Sequence, residues 1–224
     1  QHPDYYWDSL KSACDKLWAT VDIDRTKIKG MSVTTQRGTV INLDKEGKPL
    51  RPAIIWLDQR HAELEGPVKG LWGLLFKIAR VGDVIKRFRE KSQAIWIKQN
   101  QPDIWDKTHK FLLLSGYLTY QFTGRYVDSV GCQVGYIPFD YKKLRWAAKS
   151  DWRWGILPLT LDMLPELVQP GEKMGSVTAQ AAKHTGIPEG TPVLASASDK
   201  ACEIIGSGGN APHIGCMSYG TTAT

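Results

Sequence analysis

Three short clusters hold the side chains whose types and spacing could do chemistry. Asp199 stands in Ser196-Ala197-Ser198-Asp199-Lys200-Ala201-Cys202-Glu203, where an apolar strand gives way to a helix. A carboxylate carried by a rigid strand can take the proton of an attacking hydroxyl as a general base. The same residue at the same junction can simply cap a helix. Gln36 and Arg37, in Thr34-Thr35-Gln36-Arg37-Gly38, lie between two strand-like stretches. There they can offer a fork of donors to a polyol or sugar hydroxyl, and a surface turn with a solvated Arg has the same signature. In Ser218-Tyr219-Gly220-Thr221-Thr222 a glycine and two threonines follow a strand-like run. Their backbone N–H and hydroxyl donors suit a phosphate, although Gly-Thr pairs are common in ordinary turns.

The chain around these clusters has 224 residues, 42% of them hydrophobic and 23% charged. That is globular composition, and it excludes a mainly disordered or fibrous chain. No apolar run approaches the roughly 18 residues needed to cross a bilayer. Gln1-His2-Pro3-Asp4 has no signal-peptide pattern, so the expectation is a soluble, cytoplasmic protein with no membrane partner. Cys14, Cys132, Cys202 and Cys216 are far apart and form no paired metal-ligand spacing, so no structural metal site is expected and the thiols read as reduced.

Charge is concentrated. Lysine and arginine outnumber the acidic residues 29 to 23, and residues 69–98 hold eight basic against two acidic residues, which equals the whole excess of +6. Basic residues interleaved with Trp72, Phe76, Phe88 and Trp96 can serve nucleic acid. The helical spacing of Leu71, Leu74, Leu75 and Ile78 favours amphipathic helices instead, with the aromatics in the core and the cations in water. No nucleic-acid partner is expected.

The elements that must position the clusters follow from periodicity. Residues 4–18 have a helical rhythm, residues 28–34 and 39–44 read as strands, and Lys45-Glu46-Gly47-Lys48-Pro49 is a turn. Residues 53–57 form a further apolar run of strand length. Residues 92–99, 104–107 and 110–122 read as successive helices, the last stopped by Gly124, and residues 178–185 as a helix stopped by Gly186. Residues 192–197 and 214–219 are strand-like, with a helix over 200–205 between them. Strands at both ends and helices between argue an α/β fold without internal repeats.

Several stretches in order resemble one family. Val33-Thr34-Thr35-Gln36-Arg37-Gly38, then residues 43–60 ending in Ile54-Ile55-Trp56-Leu57-Asp58-Gln59-Arg60, look like the amino-terminal domain of the FGGY carbohydrate kinases, glycerol-kinase-like or xylulokinase-like. Ile95-Trp96-Ile97-Lys98-Gln99-Asn100-Gln101-Pro102 resembles the family's Trp-containing helix. Tyr117-Leu118-Thr119-Tyr120-Gln121-Phe122-Thr123-Gly124, running on to Asp128, resembles its YLTYxLTG…D segment. Met163-Leu164-Pro165-Glu166-Leu167 and Gly186-Ile187-Pro188-Glu189-Gly190-Thr191-Pro192-Val193 resemble the approach to its catalytic strand.

The resemblance implies a ribonuclease-H-like (actin-like ATPase) fold and the amino-terminal domain of a two-domain kinase. It also implies a chain that lacks the first strands with their Asp-x-Gly-Thr loop and the carboxy-terminal nucleotide domain, and that is inactive alone. The activity implied is ATP-dependent phosphorylation of a sugar or polyol hydroxyl with Mg²⁺, in a protein that can be a homodimer. Asp199 matches the catalytic base, and Gly220, Thr221 and Thr222 match the loop that approaches the ATP phosphates. Gln36, Arg37 and Trp56 match positions of the substrate site, with Asp58 beside them and Phe88 where glycerol kinases keep a Tyr. Gly38 stands where glycerol kinases have an acidic residue, and Lys200 where they have Gln; a different polyol or sugar is implied, and Lys200 reads as a solvated first-turn lysine or, if it points into the site, as a group favouring a sugar acid. The alternative is a catalytically inactive, kinase-like binding or scaffold domain.

Overall fold

The computed structural model describes residues 1–64 and 66–217. In chain order it has α1 (Pro3–Thr20), β1 (Met31–Ser32), β2 (Val40–Leu43), α2 (Gly70–Ile78), α3 (Gly82–Glu90), α4 (Gln93–Asn100), α5 (Pro102–Lys107), β3 (Lys110–Leu113), α6 (Leu114–Thr123) and β4 (Val127–Ser129). There follow β5 (Phe139–Asp140), β6 (Arg145–Trp146), α7 (Trp152–Ile156), β7 (Glu166–Val168), β8 (Lys173–Ser176), α8 (Ala179–Thr185), β9 (Pro192–Leu194) and α9 (Asp199–Gly206). This is an α/β arrangement built from short sheets: β1-β9-β8, β2-β3, β4-β7 and β5-β6.

The antiparallel β2-β3 ribbon is the centre of the molecule. Val40, Phe111 and Leu113 enter one buried cluster with Ile54, Ile97, Trp105 and Phe139. Ile41, Leu43 and Leu112 point the other way and join Leu114, Tyr117 and Leu118 in a second. A strand buried on both faces has no polar alternation, so Lys110-Phe111-Leu112-Leu113 runs straight into the apolar start of α6. That is why the expected helix over 110–122 is in fact a strand followed by a helix that begins at Leu114. A third cluster forms where Phe122 and Val127 meet Met174, Val177, Ala181 and Val193. Gly124 and Gly186 end α6 and α8 in the left-handed conformation, at φ of 68° and 73°, as residues without a Cβ can.

Other expectations need correction. The run at 53–57 is not a strand: Ile54 exchanges a pair of backbone hydrogen bonds with Val40, and the chain then turns, the Asp58 N–H donating to the Ile55 carbonyl at 3.0 Å. Residues 214–217 carry no strand either, and the rest of that stretch lies outside the described residues. Strands are not confined to the ends, since β3 to β6 occupy the middle of the chain. The segment rich in cations is helical as expected, but α2 buries none of its residues, with Leu71 and Ile78 each 70% exposed.

Two parallel contacts position the site. β1 pairs with β9 through Met31–Val193 and Ser32–Leu194. The chains stay side by side beyond the strands: the Ser196 hydroxyl donates to the Val33 carbonyl, the Thr34 hydroxyl to the Ala197 carbonyl at 2.8 Å, and the Asp199 N–H to the Thr35 carbonyl at 3.1 Å. On the other side of β9 the continuation of β4 runs parallel as well. The Ser129 hydroxyl donates to the Ser196 carbonyl, and the Ser198 N–H to the Gly131 carbonyl at 3.2 Å. Three chain segments thus emerge together at one edge, the place where α/β folds carry ligands.

Gly131 lets the two backbones meet. A Cβ there would lie 2.9 Å from Ala197 Cβ and 3.0 Å from Ala197 Cα. Gly131→Ala should therefore destabilise the chain by about 1–3 kcal/mol through overpacking. A shift of the urea midpoint checks this; an unchanged midpoint would show that the crossing relaxes freely.

Candidate active site

Arg37 and Gly38 follow directly from the β1 continuation, at the point where β9 has delivered Asp199 to Thr35. Gly38 adopts φ +82° with Trp56 packed 3.6 Å from where its Cβ would stand, so an acidic side chain at that position would be strained. A cleft of about 420 Å³ opens beside it, within the size range of small-molecule sites. Its walls are Arg37, Gly38, Ile54, Trp56, Asp58, Gln59, Arg60, His61, Lys91, Gln93, Val134, Gly135, Tyr136 and Tyr141.

Three aromatic side chains line it while remaining exposed: Trp56 at 43%, Tyr136 at 45% and Tyr141 at 52%. Each has a reason to be there. Trp56 lies inside the turn that Asp58 closes on Ile55. Tyr136 contacts Phe88, and the Tyr141 hydroxyl donates to the Gln133 carbonyl at 3.3 Å. Aromatic faces together with charged and amide donors suit the C–H faces and hydroxyls of a sugar or polyol.

Polar residues of the cleft are held rigidly. Arg60 donates through its backbone N–H at 3.0 Å and its Nε at 2.6 Å to Asp58 Oδ1, and its guanidinium covers the Trp96 ring at 4.3 Å. Burial alone would raise the Asp58 pKa, but these bonds and the charges of Arg60 and Arg51 outweigh it and hold the carboxyl below its usual value. Arg51 is buried behind the pair, its Nε donating to Gln101 at 2.6 Å and its Nη1 without a hydrogen-bond acceptor. Burial and the neighbouring Arg60 lower its pKa to about 10. Gln93, the first residue of α4, donates to the Gly38 carbonyl at 2.9 Å and so ties the Lys91–Gln93 segment to the Arg37 turn.

The structure brings Arg37, Trp56 and Asp58 into one cleft; Asp199 does not line it, and is tied near it by its N–H bond to the Thr35 carbonyl, two residues before Arg37. Gln36 lies beside this group, donating to the Thr39 hydroxyl at 3.4 Å, and does not line the cleft. Phe88 does not line it either; it packs against Trp152 and the rear of Tyr136. Lys200, placed in the site by the sugar-acid expectation, pairs with Glu203 at 2.8 Å and is not part of the cleft wall. Gly220, Thr221 and Thr222 lie outside the described residues. Asp199 opens α9 and is exposed, while Ser198 is the cap residue; no side-chain hydrogen bond caps this helix. Lys91, Gln93, Tyr136 and Tyr141 were not singled out from sequence. Their only signal was polar and aromatic type, which thousands of surface residues share. No group of three or more His, Cys, Asp or Glu side chains among the described residues gathers as a metal site, and no helix of them is long and apolar enough to cross a membrane.

Comparison with known proteins gives a consistent result. A family model described as the FGGY family of carbohydrate kinases, N-terminal domain, matches residues 1–206. The xylulose kinase of Lactococcus lactis subsp. lactis is 24% identical over 226 residues, which are 99% of this chain and 44% of that protein. Among solved structures, gluconate kinase from Lactobacillus acidophilus superposes with a TM-score of 0.72 at 19% identity, covering 93% of this chain and 41% of that one. Plasmodium falciparum glycerol kinase with ADP superposes with a TM-score of 0.65 at 21% identity, covering 93% and 42%. The chain thus spans about two fifths of the length of the relatives it matches.

Under the cleft, buried Asp128 accepts from the Ser115 hydroxyl, from Gln133 Nε2 and from the Ser129 N–H, each at 2.8 Å. Burial outweighs these bonds and raises its pKa from the ordinary 3.8 to about 6. A raised carboxyl pKa favours folding below the unfolded value, and that contribution is lost as pH rises through the folded one. The stability of the native chain relative to Asp128→Asn should therefore fall by up to about 3 kcal/mol between pH 4 and pH 7. Denaturant titrations at the two pH values check the sign; a difference that grows with pH would place the charged form as the favoured one.

Proposed function

The chain belongs to the FGGY family of carbohydrate kinases, as the amino-terminal domain, and from that premise we propose that it forms the sugar- or polyol-binding part of an ATP-dependent kinase in which Asp199 is the general base. The observation that carries this reading is the Thr35–Asp199 backbone bond, which holds an exposed carboxylate next to the turn that feeds Arg37 into an aromatic-walled cleft.

The acceptor lies against Trp56, Tyr136 and Tyr141 and takes hydrogen bonds from Arg37 and the amides of the wall. Phosphoryl transfer depends mainly on positioning and charge neutralisation. The chain's part is to hold one hydroxyl in line for attack and to accept its proton at the Asp199 carboxylate. ATP is the second substrate in this reading, and Gly220, Thr221 and Thr222 are proposed to meet its phosphates. Mg²⁺ would neutralise phosphate charge; the described residues offer no cluster of ligands for it. Because the chain spans about two fifths of the length of its relatives, the reaction is proposed for the whole protein and not for this chain alone. The relatives are named for xylulose, gluconate and glycerol, so likeness alone leaves the acceptor to be read from the cleft.

The test is substrate-dependent ADP release by the complete gene product with ATP and Mg²⁺, across ketoses, polyols and sugar acids. Asp199→Asn should lower the rate by about 10²–10⁴ with an unchanged circular dichroism spectrum. A folded Asp199→Asn protein that keeps its rate would remove the base assignment. A folded wild type that binds a sugar and never releases ADP would favour the inactive binding domain.

A further inference from the structure

The charge of the cleft is specific enough to name the kind of acceptor. Arg37, Arg60 and Lys91 line it against a single carboxylate, Asp58. Asp58 is already taken by Arg60, through the 2.6 Å Nε contact. Among the described residues neither Arg37 nor Lys91 has an ion pair or a side-chain hydrogen bond. These two unpartnered cations are on one wall, because Gln93 bonds to the Gly38 carbonyl and so draws the Lys91 segment against the Arg37 turn. The same wall includes the first residue of α4, whose N-terminal end adds positive potential. Behind Arg60 lies Arg51, buried and with one guanidinium nitrogen unsatisfied. A neutral polyol would bring no counter-charge to Arg37 and Lys91.

We propose that the acceptor is an anionic sugar, a polyhydroxy chain ending in a carboxylate, and that its carboxylate is held by Arg37 and Lys91 at the α4 end of the cleft. The proposal rests on reading this cleft as the acceptor site. Guanidinium and ammonium groups bind a carboxylate through charge-assisted hydrogen bonds, which are stronger than those a hydroxyl offers. Trp56, Tyr136 and Tyr141 then cover the carbon chain. Asp58, neutralised by Arg60, does not repel the anion.

A matched pair of probes tests it: gluconate and its alcohol counterpart glucitol, which differ only in carboxylate against hydroxymethyl. Equilibrium binding and ADP release are measured in parallel on the complete protein. The expected result is at least a tenfold preference for gluconate in binding, weakened by added salt. Lys91→Gln should reduce that preference by about tenfold, mostly in KM. Arg37→Lys, which keeps the charge, should retain part of the preference. Gluconate binding without ADP release would sustain the anionic site and remove the kinase reading. Equal or better use of glucitol or of neutral ketoses, indifferent to Lys91→Gln, would overturn the anionic acceptor and leave the kinase reading standing. Binding of neither class would overturn the proposal.

Discussion

A single buried carboxylate holds the site together. Asp128 ends in a pocket where it is only 1% exposed, a position that costs several kcal/mol for an ion unless it is fully hydrogen-bonded. The fold supplies those bonds from three directions: the Ser115 hydroxyl and the Gly116 N–H at the start of α6, the adjacent Ser129 N–H, and the Gln133 amide. Asp128 therefore caps α6 from outside, where the helix has no side-chain cap of its own. Gly116 permits the approach, since a Cβ there would sit 3.3 Å from the carboxylate. Cys132 lies in the same pocket, and burial together with the Asp128 charge pushes its thiol up to about 12, so it packs as a neutral group.

From that point the constraint spreads outward through one chain segment. Ser129 and Gly131 fasten the end of β9, β9 fastens the end of β1, and β1 leads to Arg37. The Gln133 carbonyl accepts from the hydroxyl of Tyr141, which lines the cleft. The Arg37 turn and Tyr141 are thus referred to the same buried group. A one-residue slip between β1 and β9 would turn Thr35 away from Asp199, because successive residues of a strand face opposite sides. The close backbone crossing at Gly131 and the paired serine hydroxyls make such a slip sterically costly.

Sequence and structure agree where local chemistry decides and part where packing does. The glycine stops of α6 and α8 and the Gly47 turn are local, and each was legible. The β3 strand was not, because burial on both faces erases the alternation that marks a strand. The site divides in the same way. Asp199, Arg37, Trp56 and Asp58 belong to ordered motifs read as one resemblance, and the structure gathers Arg37, Trp56 and Asp58 in one cleft. Lys91, Gln93, Tyr136 and Tyr141 come from segments far apart in the chain, joined only by the Gln93–Gly38 and Tyr141–Gln133 contacts. Nothing in their own neighbourhoods announces that role. Phe88 shows the converse: its position in the motif order pointed to the substrate, whereas its ring fills space behind Tyr136.

Net charge alone gave no direction either, and the structure explains why. Of the cations in residues 69–98, Lys86 pairs with Glu90 at 3.8 Å, Arg89 donates to the Gly66 carbonyl at 2.9 Å, and Lys91 alone lines the cleft. Arg60, outside that segment, spends its charge on Asp58 and its flat face on Trp96. An excess of +6 spread over a surface is screened within about 10 Å at ordinary ionic strength. Two unmatched cations that line one cleft add their fields where a ligand would sit, even though both side chains are exposed. Which cations lack partners, and on which wall they stand, therefore carries the chemical information that their number does not.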